Sequence, residues 1–162
     1  MLDLTLVAAT DATLPAEPAE VRHLIAGEWR ASADGATFDR RSPAHGVVVT
    51  RAAKGGVAET EAAIAAARQA FDDGRWSELS GKERATLLLR VADLIDRDRE
   101  RIARVETLEA GKPIAQSRAE IEGAADLWRY AAALARDLHG ESYNTLGEGT
   151  LGVVLREAIG VV

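Results

Sequence analysis

Three rhythms of apolar and polar residues follow one another along the chain. Up to about Glu20 there is no rhythm at all. The run TDATLPAEPAE mixes Ala, Pro, Thr and acids, has little apolar area to offset the entropy of ordering, and predicts a disordered leader over residues 1–20. From His23 the segments HLIAGEWR, ATFDRR and VVVTRAA bring β-branched and aromatic residues, separated by Gly27-Glu28 and by Ser42-Pro43-Ala44-His45-Gly46. This pattern predicts a small meander of short strands.

After Gly55-Gly56 the apolar spacing becomes helical. VAETEAAIAAARQAFDDG sets Val57, Ile64, Ala67 and Phe71 at helical intervals and predicts a first helix to about Asp73. Ser80-Gly-Lys-Glu83 has the S-x-x-E form, in which hydroxyl and carboxylate each satisfy a free backbone N–H, so a second helix starts there. Its stripe is Leu88, Val91, Ile95, Ile102 and Val105. The turn between Ile95 and Ile102 is filled by charges from Asp96 to Arg101, where a kink or short break is expected. Gly111-Lys112-Pro113 ends this helix, because Gly suits a C-terminal cap and Pro pre-sets the next first turn. A third helix is expected from Ile114 to Leu138, ended by Gly140. TLGVVLREAIGVV then returns to strand character with a break at Glu157-Ala158, and the apolar run Ile159 to Val162 asks for neighbouring strands.

Composition narrows the function classes. The 162 residues, 47% apolar and 28% charged, suffice for one globular domain with a core. Lys and Arg number 20 against 26 Asp and Glu, and the net charge of −6 argues against a nucleic-acid partner. The absence of cysteine removes disulfides, thiolate metal sites and a cysteine nucleophile together, and suits a cytoplasmic location. No run approaches the ~18 consecutive apolar residues of a spanning helix, so no membrane association is expected. Met1 to Ala16 carries Asp3 and Asp11 without a basic start, and does not read as a secretory signal.

Local chemical signals are few. Gly147, Gly149 and Gly152 spell G-x-G-x-x-G, the spacing that cradles a pyrophosphate when a strand precedes it and a helix follows. Here a helix and loop precede it and strand character follows, so it reads as a Gly-rich turn. His23, His45 and His139 are scattered without the spacing that puts two imidazoles on one helix face. Glu106 and Glu109 share a helix face and are candidates for an acid–base pair or a cation site, with a solvated face as the plainer reading. The alternating charges Asp96 to Arg101 read as an exposed helix surface. Trp29, Trp76, Trp128, Phe38 and Phe71 are too scattered to stack bases and read as core anchors, with Trp128 on the buried face of the third helix.

Taken in order, HLIAGEWR, SPAHGVVV, AAIAAARQAFDDGRWSELSGKERATLLLRVADLI, ETLEAGKP, ADLWRYAAALARDLHGE and LREAIGVV resemble the NAD(P)-dependent aldehyde dehydrogenase family, N-terminal segment, over residues 22–162. Glu106-Thr-Leu-Glu-Ala-Gly-Lys-Pro113 is the most specific block. The resemblance implies an α/β fold: short N-terminal strands, three main helices and a C-terminal strand pair from the front of a Rossmann-like cofactor domain, its central sheet incomplete within residues 21–162. Thr150 to Arg156 would form one strand of a projecting oligomerisation pair, and Ile159 to Val162 would begin the cofactor sheet.

The family's chemistry, by the same resemblance, is thiolate attack on an aldehyde, hydride transfer to nicotinamide and hydrolysis of the acyl-enzyme, with a glutamate base and an asparagine for the oxyanion. Those groups, and the Lys that holds the ribose, are expected beyond Val162, the asparagine in a Trp-Asn-Phe-Pro motif. Within this chain no catalytic, cofactor-binding or metal residue is assigned. NAD or NADP and an aldehyde substrate are implied for a longer parent, a homo-oligomer. The isolated chain is expected to bind the cofactor poorly, to be inactive and to self-associate; the alternative is a non-catalytic interaction module that pairs through its C-terminal strands. Some members hold a structural alkali-metal ion with the acid of the ETL-acid-x-GKP run, here Glu109, and backbone oxygens near Arg40-Arg41-Ser42.

Overall fold

In a computed structural model, Leu14 and residues 17–162 are described. The elements in chain order are β1 (Ala19–Val21), β2 (His23–Ile25), β3 (Glu28–Arg30), β4 (Thr37–Arg41), β5 (Val48–Ala53), α1 (Val57–Asp72), α2 (Gly81–Ala110), α3 (Ile114–Arg136), β6 (Glu141–Tyr143) and β7 (Gly152–Val154). The α/β class, the strand meander and the three helices match the sequence reading. The expected leader falls mostly outside the described residues, but Ala19 and Glu20 already belong to β1.

The meander makes two small sheets. β2 and β3 are antiparallel, with Ile25 opposite Glu28, and the loop between them is Ala26-Gly27. Both loop residues have positive φ, 54° and 82°, as the favoured two-residue hairpin turn requires. The second sheet has the order β1-β5-β4, with β1 parallel and β4 antiparallel to β5. Arg40 lies opposite Thr50 and Arg41 opposite Val48, so the ladder slips by one residue there. Val49 and Thr50, adjacent in sequence, are both buried at this slip, which strict strand alternation would not allow.

α2 begins as expected. The Ser80 Oγ accepts from the Glu83 N–H at 3.3 Å, and the Glu83 carboxylate accepts from the Ser80 N–H at 2.8 Å. It then runs without interruption for 30 residues, about 45 Å. The expected short break is absent: the charges from Asp96 to Arg101 find ion partners on the surface, and the helix continues through them. α2 ends at Gly111, whose φ of 75° is the left-handed cap and whose N–H donates to the Thr107 carbonyl at 2.9 Å. A side chain at Gly111 would also meet Pro43 Cγ at 2.7 Å.

α3 returns antiparallel along α2, and their contact is a seam of small residues. Ala85, Ala92 and Ala103 face Ser117, Ala125 and Ala132, all buried and spaced two or three turns apart. The backbones approach closely: a methyl on Gly81 would lie 2.5 Å from the Ala135 carbonyl oxygen. This corrects the assignment of large core anchors. Leu88, Val91, Ile95 and Ile102 flank the seam half-buried, and Trp128 is 38% exposed because an indole does not fit where the backbones meet. Trp29, Trp76 and Phe38 are likewise exposed. On α1 no residue is fully buried; Val57 and Ile64 face solvent, and Phe71 is half-buried beside Arg68.

At the C-terminal end β7 pairs with β6. The strand expected over Thr150 to Arg156 is confined to Gly152–Val154 because only three residues find partners. Ile159 to Val162 forms no strand, since no neighbour offers it a ladder among the described residues.

Two glycine substitutions separate backbone need from tolerance. Gly111→Ala is expected to lower stability by at least about 1–2 kcal/mol, from the left-handed cap and the collision with Pro43. Gly123→Ala, inside α3 with nothing within 4 Å of the added carbon, should raise it by about 0.5–1 kcal/mol. Urea unfolding of both variants at constant m-value checks the pair.

Candidate functional site

The residues with chemical potential converge where the end of α2 meets the β4–β5 sheet. Glu109, on the last turn of α2, accepts a hydrogen bond from the Thr50 hydroxyl at 2.5 Å and lies 3.8 Å from the Arg40 guanidinium. Glu106 pairs with Lys112 at 2.8 Å, and Lys112 also reaches Glu120 of α3 at 2.5 Å. Glu106, first, and Glu120 hold the Lys112 ammonium above its ordinary range. The two glutamates that share a helix face therefore serve different joints, one to the sheet and one, through Lys112, to α3.

Below them the Ser42–Gly46 turn is closed on itself. The Ser42 carbonyl accepts from the Gly46 N–H at 2.8 Å and the His45 N–H at 3.3 Å, and the fully buried Ser42 hydroxyl bonds His45 Nδ1 at 2.9 Å. The Ser42 side of this contact is buried, and His45 is half-buried. Beside it the Thr107 and Ser117 hydroxyls bond at 2.8 Å across the α2–α3 turn.

The other histidines are also tied locally. His23 Nε2 bonds the Ser32 hydroxyl at 3.2 Å, whose proton goes to the Lys54 carbonyl at 2.6 Å, and His139 Nδ1 lies 2.8 Å from the Asp137 carbonyl oxygen. Among the described residues no group of three or more His, Asp or Glu is placed to hold a metal ion. Gly147, Gly149 and Gly152 belong to the exposed connection from β6 into β7 and open no helix.

The starts of α1 and α2 offer a phosphate little. Glu59 fills the first turn of α1, accepting from the Gly56 N–H and the Ala33 N–H, each at 2.8 Å, which lowers its pKa. Glu83 fills that of α2, so a pyrophosphate would meet a carboxylate at each of these two; the first turn of α3 carries no acid.

A shallow charged groove between α2 and α3 is lined by Asp96, Arg99, Glu122, Gly123, Asp126 and Arg129. It lies about 15 Å along α2 from Glu106. Its charges are paired, Arg129 with Asp96 and Arg99 with Glu122 at 3.7 Å. The same surface carries Glu100, bound by both Arg118 nitrogens at 2.9 Å and by Arg104 at 3.0 Å. Arg118, then Arg104, drives the Glu100 carboxyl down to about 2. These contacts between distant stretches had no sequence signal, because helix periodicity assigns a face and not the partner across it.

With this geometry, the comparisons settle the class of protein. The profile of the Aldehyde dehydrogenase family matches residues 29–162. The chain is 36% identical over 155 residues to Aldehyde dehydrogenase family 2 member C4 of Arabidopsis thaliana, covering 95% of this chain and 31% of that protein. It is 36% identical over 137 residues to betaine aldehyde dehydrogenase of Bacillus subtilis, covering 85% and 28%. A crystal structure of an NAD-dependent aldehyde dehydrogenase from Sinorhizobium meliloti superposes with a TM-score of 0.81 at 44% identity, covering 90% of this chain and 30% of that one.

The chain belongs to the aldehyde dehydrogenase family. It spans under a third of the length of these relatives and matches the N-terminal part of their structures.

An alkali-metal ion at Glu109, which the family resemblance suggests, does not fit the residues present. Arg40 already stands at the carboxylate, and two unit positive charges about 4 Å apart near a protein surface repel by roughly 4 kcal/mol. Among the nearby carbonyls, Ser42 O is filled by two N–H groups, while Gly46 O accepts one bond from Arg41 at 3.2 Å and Val47 O one from the Ser42 N–H at 2.9 Å. No buried side-chain oxygen or nitrogen is left without a partner among the described residues.

The α2–α3 ion pairs carry a pH dependence. Glu100 has a folded value of about 2 against an ordinary 4.5, so its stabilisation is complete above 4.5 and is lost as pH falls toward 2. Helical circular dichroism should fall across that window, and Arg118→Ala should move the loss to higher pH. An acid profile unchanged by this substitution would contradict the assignment.

Proposed function

We propose that this chain is the N-terminal segment of a dehydrogenase that oxidises aldehydes to carboxylic acids with NAD+ or NADP+, and that the 162-residue chain alone is catalytically inactive. The observation that carries the second half is the absence of cysteine, because an acyl-enzyme needs a thiolate nucleophile. The remaining groups support it. Glu106 and Glu109 are engaged in joints, Ser42 is buried beside His45, and the starts of α1 and α2 are occupied by Glu59 and Glu83. No residue is assigned to catalysis, cofactor binding or metal binding.

In this reading the segment is scaffold. The α2–α3 pair forms an outer layer of the cofactor domain, and its exposed apolar residues, Leu127, Tyr130, Leu134 and Leu138 among them, face the place where further sheet would pack. The parent is proposed to be a cytoplasmic homo-oligomer acting on an aldehyde, with NAD or NADP as cofactor. A second reading, an interaction module, draws on the C-terminal end: Leu151, Leu155 and Ile159 are more than 60% exposed, and β6–β7 is a two-stranded sheet with open edges.

Purified chain is expected to give no reduction of NAD+ or NADP+ with an aldehyde panel; turnover above a protein-free blank would refute inactivity. Reading the transcript past the Val162 codon tests the parentage. A frame continuing through a Trp-Asn-Phe-Pro motif to a later cysteine supports a dehydrogenase. A stop codon there, with a discrete dimer or hetero-complex on size exclusion, supports the module.

A further inference from the structure

We infer that Arg40 supplies from within the chain the positive charge that joins Glu109 to the sheet, making this joint independent of alkali-metal ions. The inference rests on the failure of the cation to fit and on how the strands deliver the replacement.

Arg40 and Thr50 are cross-strand partners on β4 and β5, on the last regular rung before the ladder slips. From that rung the Thr50 hydroxyl donates to one Glu109 oxygen at 2.5 Å, and the guanidinium stands 3.8 Å from the other. The carboxylate thus faces a donor from one strand and a charge from the other. Its side chain is only 27% exposed, so solvent screens the pair incompletely.

A hard monovalent ion needs several oxygen lone pairs around it. Of the nearby carbonyls only that of Ser42 has both lone pairs engaged, and the Thr50 hydroxyl oxygen keeps lone pairs beyond the proton it gives to Glu109, so the Arg40 charge is what excludes the ion and its removal reopens the place. Arg41 does not compete for Glu109, because its guanidinium is bound to the Gly46 carbonyl. A guanidinium stays charged at any pH the fold survives, whereas a bound ion depends on its concentration.

The test is thermal unfolding of the whole 162-residue chain, followed by far-UV circular dichroism in sodium, potassium and tetramethylammonium chloride at equal ionic strength. The unmodified chain should melt at the same temperature in all three. Arg40→Ala should melt lower in tetramethylammonium by roughly 3–5 °C and regain part of that loss, saturably, with sodium or potassium. Arg40→Lys, which keeps a charge, should stay insensitive to the choice of cation, while Arg40→Gln should follow Arg40→Ala.

A saturable rise in the unmodified chain's midpoint with sodium or potassium would overturn the proposal, as would an Arg40→Ala variant that melts like the parent in every salt. Should Arg40→Ala not fold in tetramethylammonium, recovery by an alkali salt supports the inference. Failure of both neutral variants to recover in any salt counts against it.

Discussion

Close approach of two long antiparallel helices is the constraint on which this structure depends. Alanines and one serine line the contact from both sides, so the α2 and α3 backbones meet without large side chains between them. Small residues bury little area each, and the seam holds by length and by the ion pairs along its rims, Glu100 with Arg118 and Lys112 with Glu106 and Glu120. Exposed pairs of this kind contribute little singly, and networks exceed the sum of isolated pairs. Bulkier groups such as Trp128 are displaced to the edge of the seam, where they remain partly in solvent.

The β1-β5-β4 sheet is attached to that pair at one end. Gly111 turns in the left-handed conformation over Pro43, bringing the last turn of α2 against the Ser42–Gly46 turn, and Thr50 and Arg40 then grip Glu109 from two strands. The bulge between Arg40 and Arg41 matters because it buries Val49 and Thr50 together and gives Thr50 its position at the carboxylate. The motif most specific to the family, Glu106 to Pro113, is thus a mechanical joint in this chain. Its two acids hold the helix to the sheet and to the next helix.

The opposite faces remain bare. α1 has no fully buried residue, and α3 presents a row of leucines and a tyrosine to water. An α/β layer of this kind is stable when both faces of a sheet are covered. The family relatives, over three times longer than the matched segment, supply the context in which such faces make sense.

Local signals were legible in the residues alone. Ser80 and Glu83 announced the start of α2, Gly111 and Pro113 its end, and the ordered blocks announced the family, because each depends on neighbours within a few positions; the separator read at Gly27-Glu28 lies one residue earlier, at Ala26-Gly27. The absence of cysteine likewise excluded thiolate chemistry within this chain without any coordinates. Tertiary structure decided the rest. It kept α2 helical through Asp96 to Arg101, left the tryptophans at the surface, located the partner of β7 at Glu141–Tyr143, and gave Glu109 to Thr50 and Arg40. The physical reason is common to all of these: periodicity states which face of an element is apolar, while the identity and distance of the group opposite it arise only when segments far apart in sequence are packed together.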